Sequence, residues 1–210
     1  MSSLAADGQR RATEIPAKVV HPVWVRVCHW TNAVAMVIMT MSGWQIYNAS
    51  PLFNFVFPPS VTLGGWLAGG LLWHFAAMWL LTLNGIVYVI LGLVTGRFRR
   101  RLAPVTAAGV MTDAKAALRG RLGHDDPARY NHLQKLFYAG ILMVGALVVL
   151  SGLSIWKPVQ FQYLTALFGG YDAARYVHFF AMSAIVLFTV LHSLMALLVP
   201  KSLRAMLIGR

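Results

Sequence analysis

The sequence predicts an all-α integral membrane protein, an up-down-up-down bundle of four transmembrane helices with both termini in the cytoplasm. Its 210 residues are 58% hydrophobic and only 11% charged, which is outside the range of ordinary soluble proteins. Four apolar runs each reach the roughly 20 residues that cross a bilayer as a helix. The predicted spans are residues 22–48, 64–95, 133–156 and 172–199.

The basic residues give the orientation of these spans. Sixteen of the 18 lysines and arginines lie at one end of the four runs, and only Lys157 and Arg175 lie at the other. The positive-inside rule therefore places residues 1–21, 96–132 and 201–210 in the cytoplasm. This placement accounts for the net charge of +12 without a nucleic-acid partner, although a polyanion-binding role for the inner loop stays open.

The first two spans carry ordinary helix signals. Pro22 suits a first helical turn, and the run that follows it is too long for the core of a signal peptide, so we expect it to be retained. Residues 49–63 form an apolar, aromatic outer loop that we expect in the membrane interface or against a partner. The second span ends in the basic run GRFRRR, which predicts a stop on the cytoplasmic side.

The other two spans are joined on the outer side. The inner loop that precedes the third span contains the amphipathic stretch DAKAALRGRL, which we expect to lie on the inner membrane surface. The third span ends at Trp156, and the outer segment 158–170 is predicted to form a short interfacial helix. The fourth span stops at Pro200. Cys28 is the only cysteine, which excludes an internal disulfide and a Cys-x-x-Cys-His motif.

Four of the seven histidines lie inside the predicted spans. They sort by depth into two pairs, since His29 and His192 lie in the inner half of the bilayer and His74 and His178 in the outer half. No other pairing can bind one metal ion. His178 and His192 are 14 residues apart, a rise of about 21 Å and close to four full turns, so both face the same interior. The last span therefore offers one ligand to each of two stacked sites.

Two imidazoles that face each other across a bundle core suit the axial positions of a six-coordinate haem iron. Zinc would need a third or fourth protein ligand, and the span interiors contain no acidic residue to supply one. Gly43 lies fourteen residues after His29 and would leave room on the first span at the outer level. The alternatives are ordinary helix packing for the glycine and interhelical hydrogen bonding for a single histidine.

Three cations lie where haem propionates would need them. Arg26 and Arg175 each precede a histidine by one turn, toward the nearer water, and arginine can bind a carboxylate with two hydrogen bonds. Lys157, at the outer end of the third span, is a third candidate. Snorkelling at a helix end is the alternative interpretation of these side chains.

Several motifs together resemble the bacterial di-haem cytochrome b561 superfamily. They are Arg26-x-x-His29-Trp30, Trp73-His74 and the two histidines of the fourth span. The superfamily includes the cytochrome b subunits of nickel–iron hydrogenases and the gamma subunit of formate dehydrogenase. The resemblance covers about residues 21–199.

This resemblance implies two b-type haems, one between His29 and His192 and one between His74 and His178. It also implies electron exchange in the bacterial inner membrane between the quinone pool and a periplasmic redox protein. Some members accompany periplasmic molybdopterin enzymes, and the segments GLSIWKPVQF and FGGYDAARYVHF are most similar to that branch. A hydrogenase partner is less favoured, because the extra helix of hydrogenase-type subunits is missing after the fourth span.

A quinone near the inner haem would need hydrogen-bonding groups at the membrane edge. The candidates at the start of the third span are Tyr130, Asn131, His132 and Lys135. Anchoring of a helix end among lipid headgroups is the alternative role for each of them. A homodimer also stays open.

Two other functions stay open beside a cytochrome b that serves a partner. One is a stand-alone superoxide:ubiquinone oxidoreductase of the cytochrome b561 type, for which Lys157 and Arg175 would form a small cationic funnel. The other is a haem-free helical interaction protein with structural histidines. A purified protein without reduced b-type absorption would exclude both haem interpretations.

Overall fold

Every regular element that the structure describes is helical, which confirms the all-α prediction. This structure is a computed structural model, and it describes residues 21–102, 105–119 and 131–209. Most of the predicted N-terminal segment lies outside the described residues, as does Tyr130. The helices are α1 Val23–Ala49, α2 Leu67–Val94, α3 Arg97–Leu102, α4 Ala107–Leu118, α5 His132–Trp156, α6 Gln162–Leu167, α7 Tyr171–Leu198 and α8 Pro200–Ile208, with a 3-10 turn at Pro59–Val61.

Three of the described helices are long and apolar enough to cross a membrane, and they are α2, α5 and α7. The predicted first span, α1, is not among them, although its 27 residues give it a comparable length. Polar residues such as Arg26, Asn32 and Gln45 dilute its apolar character.

The long helices form two antiparallel pairs. In the first pair α1 packs along α2, and small side chains allow the close approach, since Ala35 and Ser42 are fully buried and Ala77 is 3% exposed. Asn84 of α2 donates its side-chain N–H groups to the Cys28 carbonyl at 2.8 Å and to Asn32 Oδ1 at 2.6 Å. These bonds tie the inner halves of α1 and α2 together.

In the second pair α5 packs along α7. Ser151 and Ser154 of α5 and Ala174 of α7 are fully buried in this interface. The Thr165 hydroxyl of α6 donates to the Ser154 carbonyl at 3.2 Å and holds the outer connection against α5. The second pair is therefore built on the same principle as the first, with small residues between two apolar helices.

The two pairs are joined mainly at their ends. At the inner end, α3 and α4 pack against α5, and Asp113 Oδ2 of α4 accepts the His132 backbone N–H at 2.7 Å. At the outer end, the ring of Phe53 lies 5.3 Å from that of Phe179 on α7, as does the ring of Tyr47. Between these ends, the extensive backbone contacts stay within each pair.

Several boundaries differ from the sequence prediction. Helix α2 begins at Leu67 rather than near residue 64, because Gly64 and Gly65 adopt φ values of 114° and 72° that a helix does not allow. The inner loop contains the helices α3 and α4. Helix α4 ends at Leu118, near the middle of the stretch DAKAALRGRL that was predicted to be amphipathic. The tail after the fourth span folds as α8, which Gly209 ends in a left-handed conformation.

We expect the replacement of Asn84 by Leu to lower the free energy of unfolding by about 0.6 kcal/mol or more, the average for an interhelical hydrogen bond in a membrane. Leucine removes both donors and leaves the oxygens of Cys28 and Asn32 without them. The measurement is unfolding of the purified protein by titration with a denaturing detergent. The double variant with Asn32→Leu should lose less unfolding free energy than the sum of the losses in the two single variants. A loss equal to that sum would show that the two asparagines do not interact.

Candidate functional site

The four span histidines face one another in two pairs, and each pair joins one helix pair to the other. The ring centres of His74 on α2 and His178 on α7 are 6.5 Å apart, and we call these residues the outer pair. The ring centres of His29 on α1 and His192 on α7 are 5.9 Å apart, and we call these the inner pair. All four side chains are partly buried. The structure thus brings together the residues that the depth argument paired.

The two separations fit a metal between each pair of rings. A bond from a metal to an imidazole nitrogen is about 2 Å long and the ring centre lies roughly 1 Å farther on, so two axial imidazoles place their ring centres roughly 6 Å apart. Both pairs are close to that value. The described residues contain no group of three or more His, Cys, Asp or Glu side chains that could hold a metal. Two ligands for each ion suit the iron of a haem better than they suit zinc.

Hydrogen bonds fix the tautomer of both outer histidines. The Ser42 hydroxyl donates to the Ile38 carbonyl at 2.6 Å and lies 3.1 Å from His74 Nδ1, so the ring nitrogen donates to it. His178 Nδ1 lies 3.0 Å from the Val148 carbonyl, which can only accept, and 3.1 Å from Ser151 Oγ. With the proton on Nδ1, each ring keeps the Nε2 lone pair for a metal, as in protein metal sites generally.

Glycines make room for the same two rings. A Cβ added at Gly43 would lie 3.4 Å from His74 Cε1, which is an ordinary contact. A Cβ at Gly152 would lie 3.1 Å from His178 Cε1, which is tighter than side chains normally tolerate. Gly43 was predicted to leave room beside the outer site. Gly152 on α5 lies in the same way beside His178, a contact that was not predicted from the sequence.

The inner pair has a different environment. The ring of His192 stacks on Phe188 with ring centres 5.6 Å apart, and the ring of His29 meets the edge of Trp30 at 5.3 Å. Among the described residues, neither inner ring has a hydrogen-bond partner. The inner pair is therefore held by aromatic contacts, whereas the outer pair is held by hydrogen bonds.

The predicted propionate ligands contact the protein's own backbone. Arg26 donates to the Leu207 carbonyl at 3.2 Å and so caps α8. Arg175 donates to the carbonyl of Ser50 and, at 3.1 Å, to its hydroxyl. Lys157 is exposed, with its ammonium group 5.2 Å from the centre of its neighbour Trp156. Each cation lies at the end of a helix near a histidine pair, and its role toward a propionate stays a prediction.

The predicted quinone residues that the structure describes support the start of α5. Asn131 caps this helix, because its side chain accepts the Gln134 N–H at 2.7 Å while Gln134 returns a bond to the Asn131 N–H. His132 Nδ1 accepts the Thr106 N–H at 3.2 Å. Lys135 lies one turn into the helix. The quinone role of this group stays a prediction.

Ser42 and Ser151 were not among the site residues predicted from the sequence. A serine inside an apolar span is usually a packing residue, so neither stood out. A signal was nevertheless present, because the dipeptide Ser-Gly occurs twice in the chain, at Ser42-Gly43 and at Ser151-Gly152, once in the first span and once in the third. Each occurrence lies beside an outer histidine.

Comparison with known proteins identifies relatives of the whole helical region. The family model described as prokaryotic cytochrome b561 matches residues 20–209. A protein of Azospira oryzae named "Putative protein-methionine-sulfoxide reductase subunit YedZ1" is 49% identical over 190 residues, which cover 90% of this chain and 96% of that protein.

We expect Gly152→Ala to be about 1 kcal/mol less stable than Gly43→Ala, measured by thermal unfolding in detergent. Both changes replace a helical glycine, so the gain in helix propensity cancels in the comparison. The difference arises because His178 is held by Val148 and Ser151 and cannot move away from the new methyl group. Equal stabilities of the two variants would contradict the tight packing at Gly152.

Proposed function

The chain belongs to the prokaryotic cytochrome b561 family, and we propose that it holds two b-type haems through its four span histidines. Family membership makes it a multi-pass protein of the inner membrane that carries electrons. The observation that carries the proposal is the pairing of His29 with His192 and of His74 with His178 at a separation that fits an iron between the rings.

The residues around the two histidine pairs would have separate roles in haem binding. The four imidazoles would hold the two haem irons, those of the outer pair through Nε2, and α7 would link the two sites because it supplies one histidine to each. Gly43 and Gly152 leave space beside the outer rings. In a bilayer, the apolar surfaces of α2, α5 and α7 would exclude water from both sites. A bound haem supplies one-electron redox chemistry at its iron.

We further propose that α1 crosses the membrane with α2, α5 and α7, and that both chain termini are cytoplasmic. The distribution of basic residues supports this orientation, since Arg97, Arg99 and Arg100 follow α2 whereas Lys157 and Arg175 are the only basic residues at the other end. The outer pair then lies toward the periplasm and the inner pair toward the cytoplasm.

The partner is proposed to be a periplasmic molybdopterin oxidoreductase that reduces methionine sulfoxide in proteins. The name of the Azospira oryzae relative supports this choice over a hydrogenase. Reduction of a sulfoxide to a thioether consumes two electrons and two protons and releases water. Oxidation of one membrane quinol supplies two electrons and two protons. Electrons would therefore flow from the quinone pool to the partner. One copy of the chain is sufficient, because both histidine pairs form within it.

The partner would meet the outer loops beside the outer pair. Val56, Trp66, Val159 and Tyr163 present exposed apolar surface there, and the exposed fractions are 62%, 69%, 80% and 85%. The stand-alone superoxide reaction has no comparable support. Arg175, one of the two cations of its funnel, is occupied by Ser50 and lies 4.0 Å from an Asp172 oxygen.

We expect the pyridine haemochrome assay to give two haems per chain for the natural protein and one for His74→Ala or His192→Ala. Each substitution removes a ligand from one pair and leaves the other pair intact. His132→Ala is the matched control and should retain both haems, since His132 belongs to neither pair. One haem in the natural protein, or two in His192→Ala, would contradict the proposed ligand set.

We expect membranes from cells that lack this chain to support quinol-dependent reduction of methionine sulfoxide in a test protein at a rate at least tenfold lower than membranes that contain it. Reduction driven by a soluble viologen donor should not change, because it bypasses the membrane subunit. The assay uses membranes supplied with the periplasmic fraction. Unchanged quinol-dependent activity would contradict the proposed partner, and superoxide-driven quinone reduction by the purified chain alone would favour the alternative.

A further inference from the structure

Each outer histidine is held by the same local arrangement, which occurs once on α1 and once on α5. A serine bonds back to the carbonyl four residues earlier, at 2.6 Å for Ser42 and 2.7 Å for Ser151, and contacts the carbonyl three residues earlier at 3.3 Å and 3.2 Å. The serine oxygen then lies 3.1 Å from the Nδ1 atom of a histidine on the neighbouring helix, and a glycine follows the serine. We call each copy an outer clamp.

The carbonyl three residues before each serine is also part of the clamp. Val148 accepts from His178 at 3.0 Å, whereas the Met39 carbonyl, in the same position on α1, accepts from Ser42 at 3.3 Å. A side chain in a helix covers the turn that precedes it, so a residue with a Cβ after the serine would cover this carbonyl. Gly43 and Gly152 leave it open, which explains why the serine and glycine occur together.

The clamps have an electronic consequence for a metal ligand. A hydrogen bond donated by Nδ1 gives the imidazole more anionic character and raises its basicity as a ligand. A more basic axial ligand stabilises ferric over ferrous iron, and hydrogen bonding around the ligands is one of the means by which proteins set haem potentials. The inner pair has only aromatic contacts among the described residues, from Trp30 and Phe188.

We propose that Ser42 and Ser151 are positioning residues that lower the reduction potential of the iron at the outer pair and leave the inner iron unaffected. This inference rests on the proposed ligation of haem by the four histidines. The hydroxyl groups do not touch the iron. They hold Nδ1–H of His74 and His178, fix the tautomer that presents Nε2, and increase the donor strength of the ring.

The test is a potentiometric titration, followed by visible spectroscopy, of the purified full chain with its haems. We expect Ser42→Ala to raise one of the two midpoint potentials, so that the ratio of reduced to oxidised haem at a fixed ambient potential increases roughly fivefold, the equivalent of one net hydrogen bond. Ser151→Ala should raise the same midpoint by less, because the Val148 carbonyl remains. Threonine at either position should restore the natural value, since it returns a hydroxyl.

Ser154→Ala is the matched control for both variants. Ser154 is as fully buried as Ser42 and Ser151 and also donates to a backbone carbonyl, that of Ser151 at 2.8 Å, but the hydrogen bonds of its side chain reach no histidine. It should leave both midpoints unchanged. In the His29→Ala background, which retains only the outer pair, the Ser42→Ala shift should persist on the single remaining haem.

The outcomes separate the two proposals. If the natural chain binds two haems and neither serine variant moves a midpoint beyond the Ser154→Ala control, the clamps do not tune the iron and the inference is wrong. A shift of both midpoints by the same amount would also overturn it. A natural chain that binds no haem would overturn the proposed function itself.

Discussion

The contacts between histidine rings across the two helix pairs are the constraint on which the rest of the structure depends. The α1–α2 and α5–α7 pairs pack tightly within themselves and meet mainly at their ends and through these rings. Helix α7 contributes to both contacts, and its histidines are 14 residues apart, so the depth of one contact determines the depth of the other. A shift of α7 by one residue would break both pairs at once, because each following side chain points about 100° away.

The two helix pairs resemble each other at the outer level and differ at the inner one. The outer clamps and the outer histidines occupy corresponding places on both pairs, which amounts to an internal repeat that the sequence does not reveal by similarity alone. His29 lies fourteen residues before Gly43, and Tyr138 lies fourteen before Gly152. The counterpart of His192 on α2 is Tyr88, which lies fourteen residues after His74. The residues that the two helix pairs have in common therefore form only the outer histidine pair. The inner pair needs His29 on α1 and His192 on α7, and their counterparts in the other helix pair are tyrosines.

The sequence predicts the long helices and the histidine pairs because both depend on periodicity and depth, which a single chain displays directly. It does not predict the contacts of short polar side chains, since Ser42 is equally consistent with ordinary helix packing. The end of α8 and its contact with Arg26 were also missed, because the arginine lies 181 positions from Leu207 and no local pattern links them. The start of α2 depends on the left-handed conformation of Gly64, and glycine permits this conformation without requiring it.

The polar side chains of α1 are compatible with the transmembrane position proposed for this helix. Each unpaired polar group in hydrocarbon costs several kcal/mol, so the question is whether the polar side chains of α1 have partners. Asn32 bonds to Asn84, Ser42 bonds to the Ile38 carbonyl and to a histidine, and Asn48 bonds to both backbone groups of Phe57 at 2.8 Å. A helix whose polar groups are satisfied by its neighbours can lie in lipid with less apolar character than an isolated span requires. These hydrogen bonds give Asn32, Ser42 and Asn48 partners on the other helices and in the outer loop, and they support the proposal that α1 is a fourth span.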